Sequence, residues 1–287
     1  MTAPPYRFST APLMDWSDRH CRAFWRLLTQ RARLYTEMIT TGAILYGDAD
    51  RHLRLQADGN TALQLGGSNP QDLARSVAVA ARYGYAEYNL NCGCPSDRVQ
   101  EGRFGACLMK EPEVVADCVR AMQAESAQPV TVKHRIGVDD SEDYPFLQRF
   151  VATVAEAGCK TFIVHARKAW LKGLSPKENR EIPPLTYEHV YRLKQEYPEL
   201  SILINGGIQT HGDAASHLPQ VDGVMLGRSP YENPWLLADV DPIYYGPPAT
   251  MRSREQVLRA YRPYLEAEFA GGPPLAASAR SGPRLYR

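Results

Sequence analysis

Two stretches decide how this chain folds: Ser201-Ile202-Leu203-Ile204-Asn205-Gly206-Gly207-Ile208 and Gly223-Val224-Met225-Leu226-Gly227-Arg228. Each is a short apolar run that stops at a polar residue or a glycine, the pattern of a buried strand bounded by a turn. Working back toward the N-terminus, similar runs occupy residues 7–13, 34–37, 62–65, 86–91, 130–134 and 161–165. Amphipathic stretches separate them, with helices expected over 70–83, 112–124, 144–157 and 187–196. Strand–helix alternation implies parallel pairing with helices covering the sheet, and eight such units imply an α/β fold closed as a parallel (β/α)8 TIM barrel.

In such a barrel the C-terminal ends of the strands converge on one mouth, where catalytic groups reside. Asp15, Glu37, Gln64, Asn91, Lys133, His165, Asn205 and Gly227 all fall at or just past an expected strand end. Each alone reads equally well as a surface loop residue. Their joint placement is harder to dismiss.

Bulk properties narrow the class. The chain has 287 residues, 44% hydrophobic and 23% charged, which suits one large α/β domain of an ordinary globular protein. No run approaches the ~20 apolar residues of a membrane helix, and the N-terminus lacks a basic region followed by an apolar core. No membrane association is expected, and the cytoplasm is the default location. The six cysteines are scattered rather than spaced as a disulfide framework, and Cys92 and Cys94 have no clustered partners to complete a metal site. The net charge of +1 says nothing of nucleic acid globally. Locally, Arg167, Lys168, Lys172, Lys177 and Arg180 face a single Glu178, with Trp170 among them; on charge alone this is a solvated face.

Three constellations carry chemistry. Asn205-Gly206-Gly207 and Gly227-Arg228 follow the last two strands, where glycines let backbone N–H groups approach a phosphate. Asn89-Leu90-Asn91-Cys92-Gly93-Cys94-Pro95-Ser96 shapes a tight loop that presents Cys94 over the mouth. A thiol there serves as a general acid or, equally on sequence alone, as a small buried filler. Lys133 ends the fifth strand, in position to offset negative charge on a reduced cofactor; Gln64 and His165 end the third and sixth.

Taken together, these segments resemble the tRNA-dihydrouridine synthase family. The matching set is Ala11-Pro12-Leu13-Met14-Asp15, Thr36-Glu37-Met38, Gln64-Leu65-Gly66-Gly67, Asn89 to Ser96, Val132-Lys133-His134-Arg135, His165-Ala166-Arg167, Asn205-Gly206-Gly207 and Gly227-Arg228, in the family's order. The stretch from His165 to Leu185 is similar to the bacterial subfamily acting at position 20 and its neighbour in the D-loop. The resemblance implies FMN as prosthetic group, NADPH (or NADH) as reductant, and tRNA as substrate, with no obligate protein partner and no metal. It implies Cys94 as proton donor. Pro12, Leu13, Met14, Gln64 and Lys133 would face the flavin ring, and His165, Asn205, Gly206, Gly207, Gly227 and Arg228 would hold its phosphate. Asn91 would lie near the uracil, and Lys177 and Arg180 would touch tRNA.

The division expected is a barrel over residues 1–245 and a short extension over 246–287. The extension reads as a remnant of the family's tRNA-binding helical domain, apparently incomplete. A helix is expected over 255–269, interrupted or kinked at Pro263, and the tail from Gly271 onward is expected to be poorly ordered. Three other functions fit parts of the pattern. One is a flavin barrel reducing a free dihydroorotate-type or dihydropyrimidine-type molecule. Another is a flavin-free lyase or isomerase with Lys133 as Schiff base. The third is a non-catalytic RNA-binding barrel.

Overall fold

The computed structural model describes residues 3–55, 59–247 and 253–270. Eight parallel strands, β1 (Phe8–Thr10), β2 (Leu34–Thr40), β3 (Thr61–Gly66), β4 (Glu87–Cys92), β5 (Val130–Arg135), β6 (Thr161–His165), β7 (Ser201–Asn205) and β8 (Gly223–Leu226), pair in the order β1-β8-β7-β6-β5-β4-β3-β2. The ring closes between β1 and β2 through one isolated bridge, Ser9 to Arg33. There the Arg33 amide donates to the Phe8 carbonyl and the Thr10 amide to the Arg33 carbonyl, both at 3.0 Å. The fold is the expected (β/α)8 barrel.

The strand residues that face the helices are apolar, as strands under helices must be, while the barrel interior also holds buried polar side chains such as Gln64, Glu87, Asn89 and Thr131. The outer shell is formed by α1 (Arg19–Leu28), α2 (Thr41–Leu45), α3 (Ala49–Leu53), α4 (Pro70–Ala80), α5 (Asp97–Glu101), α6 (Pro112–Ala124), α7 (Tyr144–Glu156), α8 (Tyr187–Glu196), α9 (His211–His217), α10 (Ser229–Glu232) and α11 (Arg254–Ala270). Local sequence starts several of them. Asn69 caps α4 through Asp72 N–H with Pro70 in the first turn, and Thr210 with Asp213 forms a capping box on α9. Among the described residues no helix is long and apolar enough to cross a membrane.

Three expectations are corrected here. β1 is shorter than residues 7–13, because the chain turns away at Ala11-Pro12 once the Ala11 amide has paired with the Leu226 carbonyl. β2 runs on to Thr40, so Glu37 is not at a strand end. It lies in a register shift between Tyr35 and Met38, where the Thr36 hydroxyl takes the Gln64 amide and Glu37 accepts the Asp15 amide. α11 runs unbroken through Pro263. That residue is exposed, so the carbonyl its missing N–H leaves unpaired is open to water. The opposite face of α11 is buried. Val257 and Tyr261 are packed away, Tyr261 meets Phe24 of α1 edge-on at 5.1 Å, and Glu268 reaches Arg19 at 2.7 Å and Arg54 at 3.1 Å. Residues 271–287, expected to be poorly ordered, lie outside the described residues.

Gly223 begins β8 against the N-terminal segment, and a Cβ there would collide with the Tyr6 carbonyl oxygen and come within 3.1 Å of Leu203 Cγ. Gly223→Ala is expected to lower the unfolding free energy by roughly 1–3 kcal/mol, the usual cost of overpacking a fixed backbone. The urea midpoint measures this, and an unshifted midpoint would contradict the close approach.

Candidate active site

A cavity of about 860 Å³ opens at the C-terminal mouth of the barrel. Of the residues singled out in the sequence, Pro12, Leu13, Met14, Gln64, Asn91, Cys94, Lys133, His165, Arg180, Asn205, Gly206, Gly207, Gly227 and Arg228 all line it. Lys177 does not. It is exposed and precedes the 3-10 turn Glu178–Arg180, whose last residue is the one that reaches the cavity.

Cys94 is held by its backbone. The Asn91 Oδ1 accepts the amides of Gly93 at 3.1 Å and Cys94 at 2.9 Å, and the Cys94 carbonyl accepts the Ala106 amide at 2.9 Å. Its thiol is half-buried and points 3.5 Å from the Ser96 hydroxyl. The filler reading of Cys94 does not describe this geometry, since the thiol belongs to the cavity wall. Gln64 and Asn91 touch as well, the Asn91 Nδ2 donating to Gln64 Oε1 at 2.8 Å.

Arg135, quoted in the sequence only as part of a motif, is the residue that joins the loops. It is buried, and its guanidinium donates to the carbonyls of Gly93 (3.1 Å), Lys168 (3.0 Å) and Asn179 (2.8 Å). Asn179 is fully buried inside the basic segment. It accepts the Trp170 amide and donates to the carbonyls of Trp170 and Leu174, folding the run from Lys168 to Arg180 into a compact loop beside the mouth. Gln100 adds a second staple, donating to Pro95 O and Leu171 O at 2.8 Å each. Trp170 is 36% exposed on this loop.

The glycine loops have backbone reasons. Gly206 and Gly207 both have positive φ, 110° and 74°, and a Cβ on Gly207 would sit 2.6 Å from Leu185 Cδ1 and from the Tyr187 hydroxyl. The Tyr187 hydroxyl donates to Gly206 O at 2.8 Å and fixes the turn. Asn205 Nδ2 donates to Met225 O at 2.8 Å, tying the ends of β7 and β8. Arg228 lies at the rim, paired with Glu181 at 3.0 Å.

The electrostatics are one-sided. Burial first, then the nearby Arg135, lowers Lys133 to about 7 from an ordinary 10.5, with Cys94 pulling the other way. Burial first, then Arg135, Lys133, Arg167 and Arg180, push His165 well below the ordinary 6.5, so its imidazole is neutral. Its Nδ1 is buried without a partner among the described residues. Lys133, Arg135 and Arg180 line the cavity without an ion pair among the described residues, which suits it to an anionic ligand.

Comparison with known proteins follows the same lines. The family model described as Dihydrouridine synthase (Dus) matches residues 9–280. A Vibrio cholerae protein named tRNA-dihydrouridine(20/20a) synthase is 55% identical over 267 residues, covering 93% of this chain and 82% of its own. Proteins of the same name from Shewanella oneidensis (58% over 265 residues, 92% and 79%) and Pseudomonas putida (55% over 270 residues, 94% and 80%) are similar to the same extent.

The unfolded chain keeps Lys133 protonated up to about pH 10.5, whereas the folded protein does so only up to about 7. Folding therefore expels a proton between these values. The penalty is complete below about pH 7, fades as pH rises, and is gone above 10.5, so stability rises with pH across that window. Lys133→Met is expected to raise the urea midpoint of the ligand-free protein at pH 7 and to flatten its rise toward pH 10. An unchanged slope would show that Lys133 holds its proton like an ordinary surface lysine.

Proposed function

Because the chain belongs to the dihydrouridine synthase family, we propose that it reduces uridine to 5,6-dihydrouridine in the D-loop of tRNA, at position 20 or its neighbour 20a, using FMN and NADPH (or NADH). The observation that carries this reading is the grouping in one cavity of Cys94 and Asn91 with Lys133, His165 and two glycine loops, with Arg180 on the same wall. The flavin-free barrel with Lys133 as Schiff base gives no use to the Cys94 loop. A free pyrimidine gives none to the basic loop around Arg180.

The residues suit a flavin phosphate and ring. Among the described residues His165 Nδ1 lacks a partner and Lys133 makes no ion pair; Gly206 and Gly207 hold positive-φ turns after β7, and nothing lies within 4 Å of a Cβ on Gly227. Pro12, Leu13, Met14, Gln64 and Lys133 would lie along the ring, with His165, Asn205, the three glycines and Arg228 at the phosphate. When bound and reduced, FMN supplies the hydride that goes to C6 of the uracil. Cys94 Sγ–H delivers the proton to C5, and Asn91 both fixes the Cys94 backbone and lies where the base enters. In its protonated form Lys133 offsets negative charge that develops in the cavity.

A uridine stacked in a tRNA elbow must first leave its stack, at a cost of a few kcal/mol. Arg180 and, further out, Lys177 and Trp170 attract the backbone and steady the extruded nucleotide. The barrel over residues 1–245 carries the chemistry. Within the segment 246–287, α11 seats on α1 and extends the tRNA-contacting surface there. The enzyme works in the cytoplasm, without an obligate protein partner.

The purified protein is expected to show a flavin spectrum that bleaches with NADPH under anaerobic conditions; absence of that spectrum after incubation with FMN would remove the redox reading. Cys94→Ala is expected to keep the spectrum and lose dihydrouridine formation in unmodified tRNA by about 10²-fold or more. Arg180→Ala should weaken tRNA binding about tenfold with flavin bleaching unchanged, and Lys133→Ala should do the reverse. Equal effects of both variants on both assays would contradict that division.

A further inference from the structure

We propose that Glu87, on the floor of the barrel, sets the direction of a buried hydrogen-bond chain that fixes the acceptor face of Asn91 beneath the Cys94 loop. The importance of that loop for activity rests on the function proposed above; the chain itself does not.

Strand alternation puts Glu87, Asn89 and Asn91 of β4 on the same inner face at successive heights. Asn89 is in register with Gln64 of β3 and Thr131 of β5, so the three strands share a layer. From the mouth downward the Cys94 amide donates to Asn91 Oδ1 (2.9 Å), Asn91 Nδ2 to Gln64 Oε1 (2.8 Å), and Gln64 Nε2 to Asn89 Oδ1 (2.8 Å). Asn89 Nδ2 then donates to Thr131 Oγ1 (2.8 Å), and the Thr131 hydroxyl to Glu87 Oε1 (2.6 Å). The Tyr35 hydroxyl also donates to Glu87, and Arg33 lies 3.7 Å away.

Below the cavity wall formed by Asn91 and Gln64, the members Asn89, Thr131 and Glu87 are buried away from water, so a wrong turn there has no solvent partner. A carboxylate only accepts, so Thr131 spends its single proton on Glu87 and must accept from Asn89. That choice orients the Asn89 amide, which orients Gln64, which orients Asn91. At the other end the Gly93 and Cys94 amides only donate. The two ends agree, and a side-chain amide that turned over alone would face donor against donor or acceptor against acceptor. Glu87 is thus a positioning residue acting through four side chains.

The chain has a reversed form that the right pair of substitutions would select. Asn91→Asp still accepts from Gly93 and Cys94 but offers oxygen to Gln64, which forces Gln64 and Asn89 to turn over. The conflict then arrives at Thr131, with one proton for two acceptors. Glu87→Gln supplies a donor at that point. The double variant Glu87→Gln/Asn91→Asp therefore runs the whole chain backwards with unchanged net charge.

The test is a thermal double-mutant cycle on the full chain, with and without added FMN. Each single substitution is expected to lower Tm by about 2–5 °C, as one misdirected buried hydrogen bond does in a protein of this size. The double variant is expected to melt above either single one. A second cycle uses Thr131→Val, which ends the demand from below: Asn91→Asp should then cost less than half of what it costs in the parent. This cycle decides alone if Glu87→Gln does not fold. The link to the loop is read by iodoacetamide labelling of Cys94, quantified by peptide mass, which should be about threefold or more faster in Thr131→Val, as expected when a loop loses one anchoring hydrogen bond. Additive losses in the cycles, or an unchanged Cys94 rate, overturn the proposal. None of these readouts requires turnover, so a Cys94→Ala variant that still made dihydrouridine would sink the functional reading and leave this one standing.

Discussion

The mouth of this barrel depends on one buried guanidinium. Loops beyond the strand ends carry carbonyls that no ladder satisfies, and a buried carbonyl left alone is costly. Arg135 meets three of them at once, from the Cys94 loop and from two points of the basic loop. No carboxylate pairs with it among the described residues, so its charge is retained and adds to the field over the cavity. Burial, partly offset by Cys94, lowers it only to about 10, and it stays protonated in neutral solution. The same contact therefore builds the walls of the site and makes its interior attractive to anions.

That field explains why the neighbouring groups behave as they do. His165 is neutral because burial, first, and then the cations Arg135, Lys133, Arg167 and Arg180 oppose its protonation. Lys133 is poised near neutrality for the related reason that burial and Arg135 both oppose its charge. A ligand bearing negative charge relieves all of these at once, so ligand binding and protonation in the cavity are coupled through ordinary linkage.

The sequence was informative where one residue type does one job. Apolar runs closed by Asn205, Gly206 and Gly227 located strands to within a residue or two, because few alternatives suit buried parallel strands. Cys94 and Lys133 stood out by their chemistry at strand ends. The residues that escaped notice act through shape alone. Asn179 looks like a loop asparagine, and nothing local reveals that it is fully buried and braces a loop. Arg135 sits one position past a histidine and two past Lys133, with no pattern to show that it reaches three separate carbonyls. Glu37 and Pro263 misled for a different reason. A register shift lengthened β2 past the first polar residue, and a proline on a water-facing side costs a helix less than one inside it.

The closure of the barrel has a consequence in time. β1 is emitted first from the ribosome, yet its ladder partner is β8, with Phe8 opposite Val224, and it meets β2 only through Ser9 and Arg33. At ordinary elongation rates of about 5–20 residues per second, more than two hundred residues separate the two partners by roughly 10–40 s. For that interval the first strand has nowhere permanent to go, and the apolar side chain of Phe8 is without the Tyr244 ring it finally packs against at 4.9 Å. The nascent chain must therefore remain soluble with its opening strand unpaired. A shielding factor at the ribosome, or slow decoding late in the message, would act on this waiting time and leave the finished molecule unchanged.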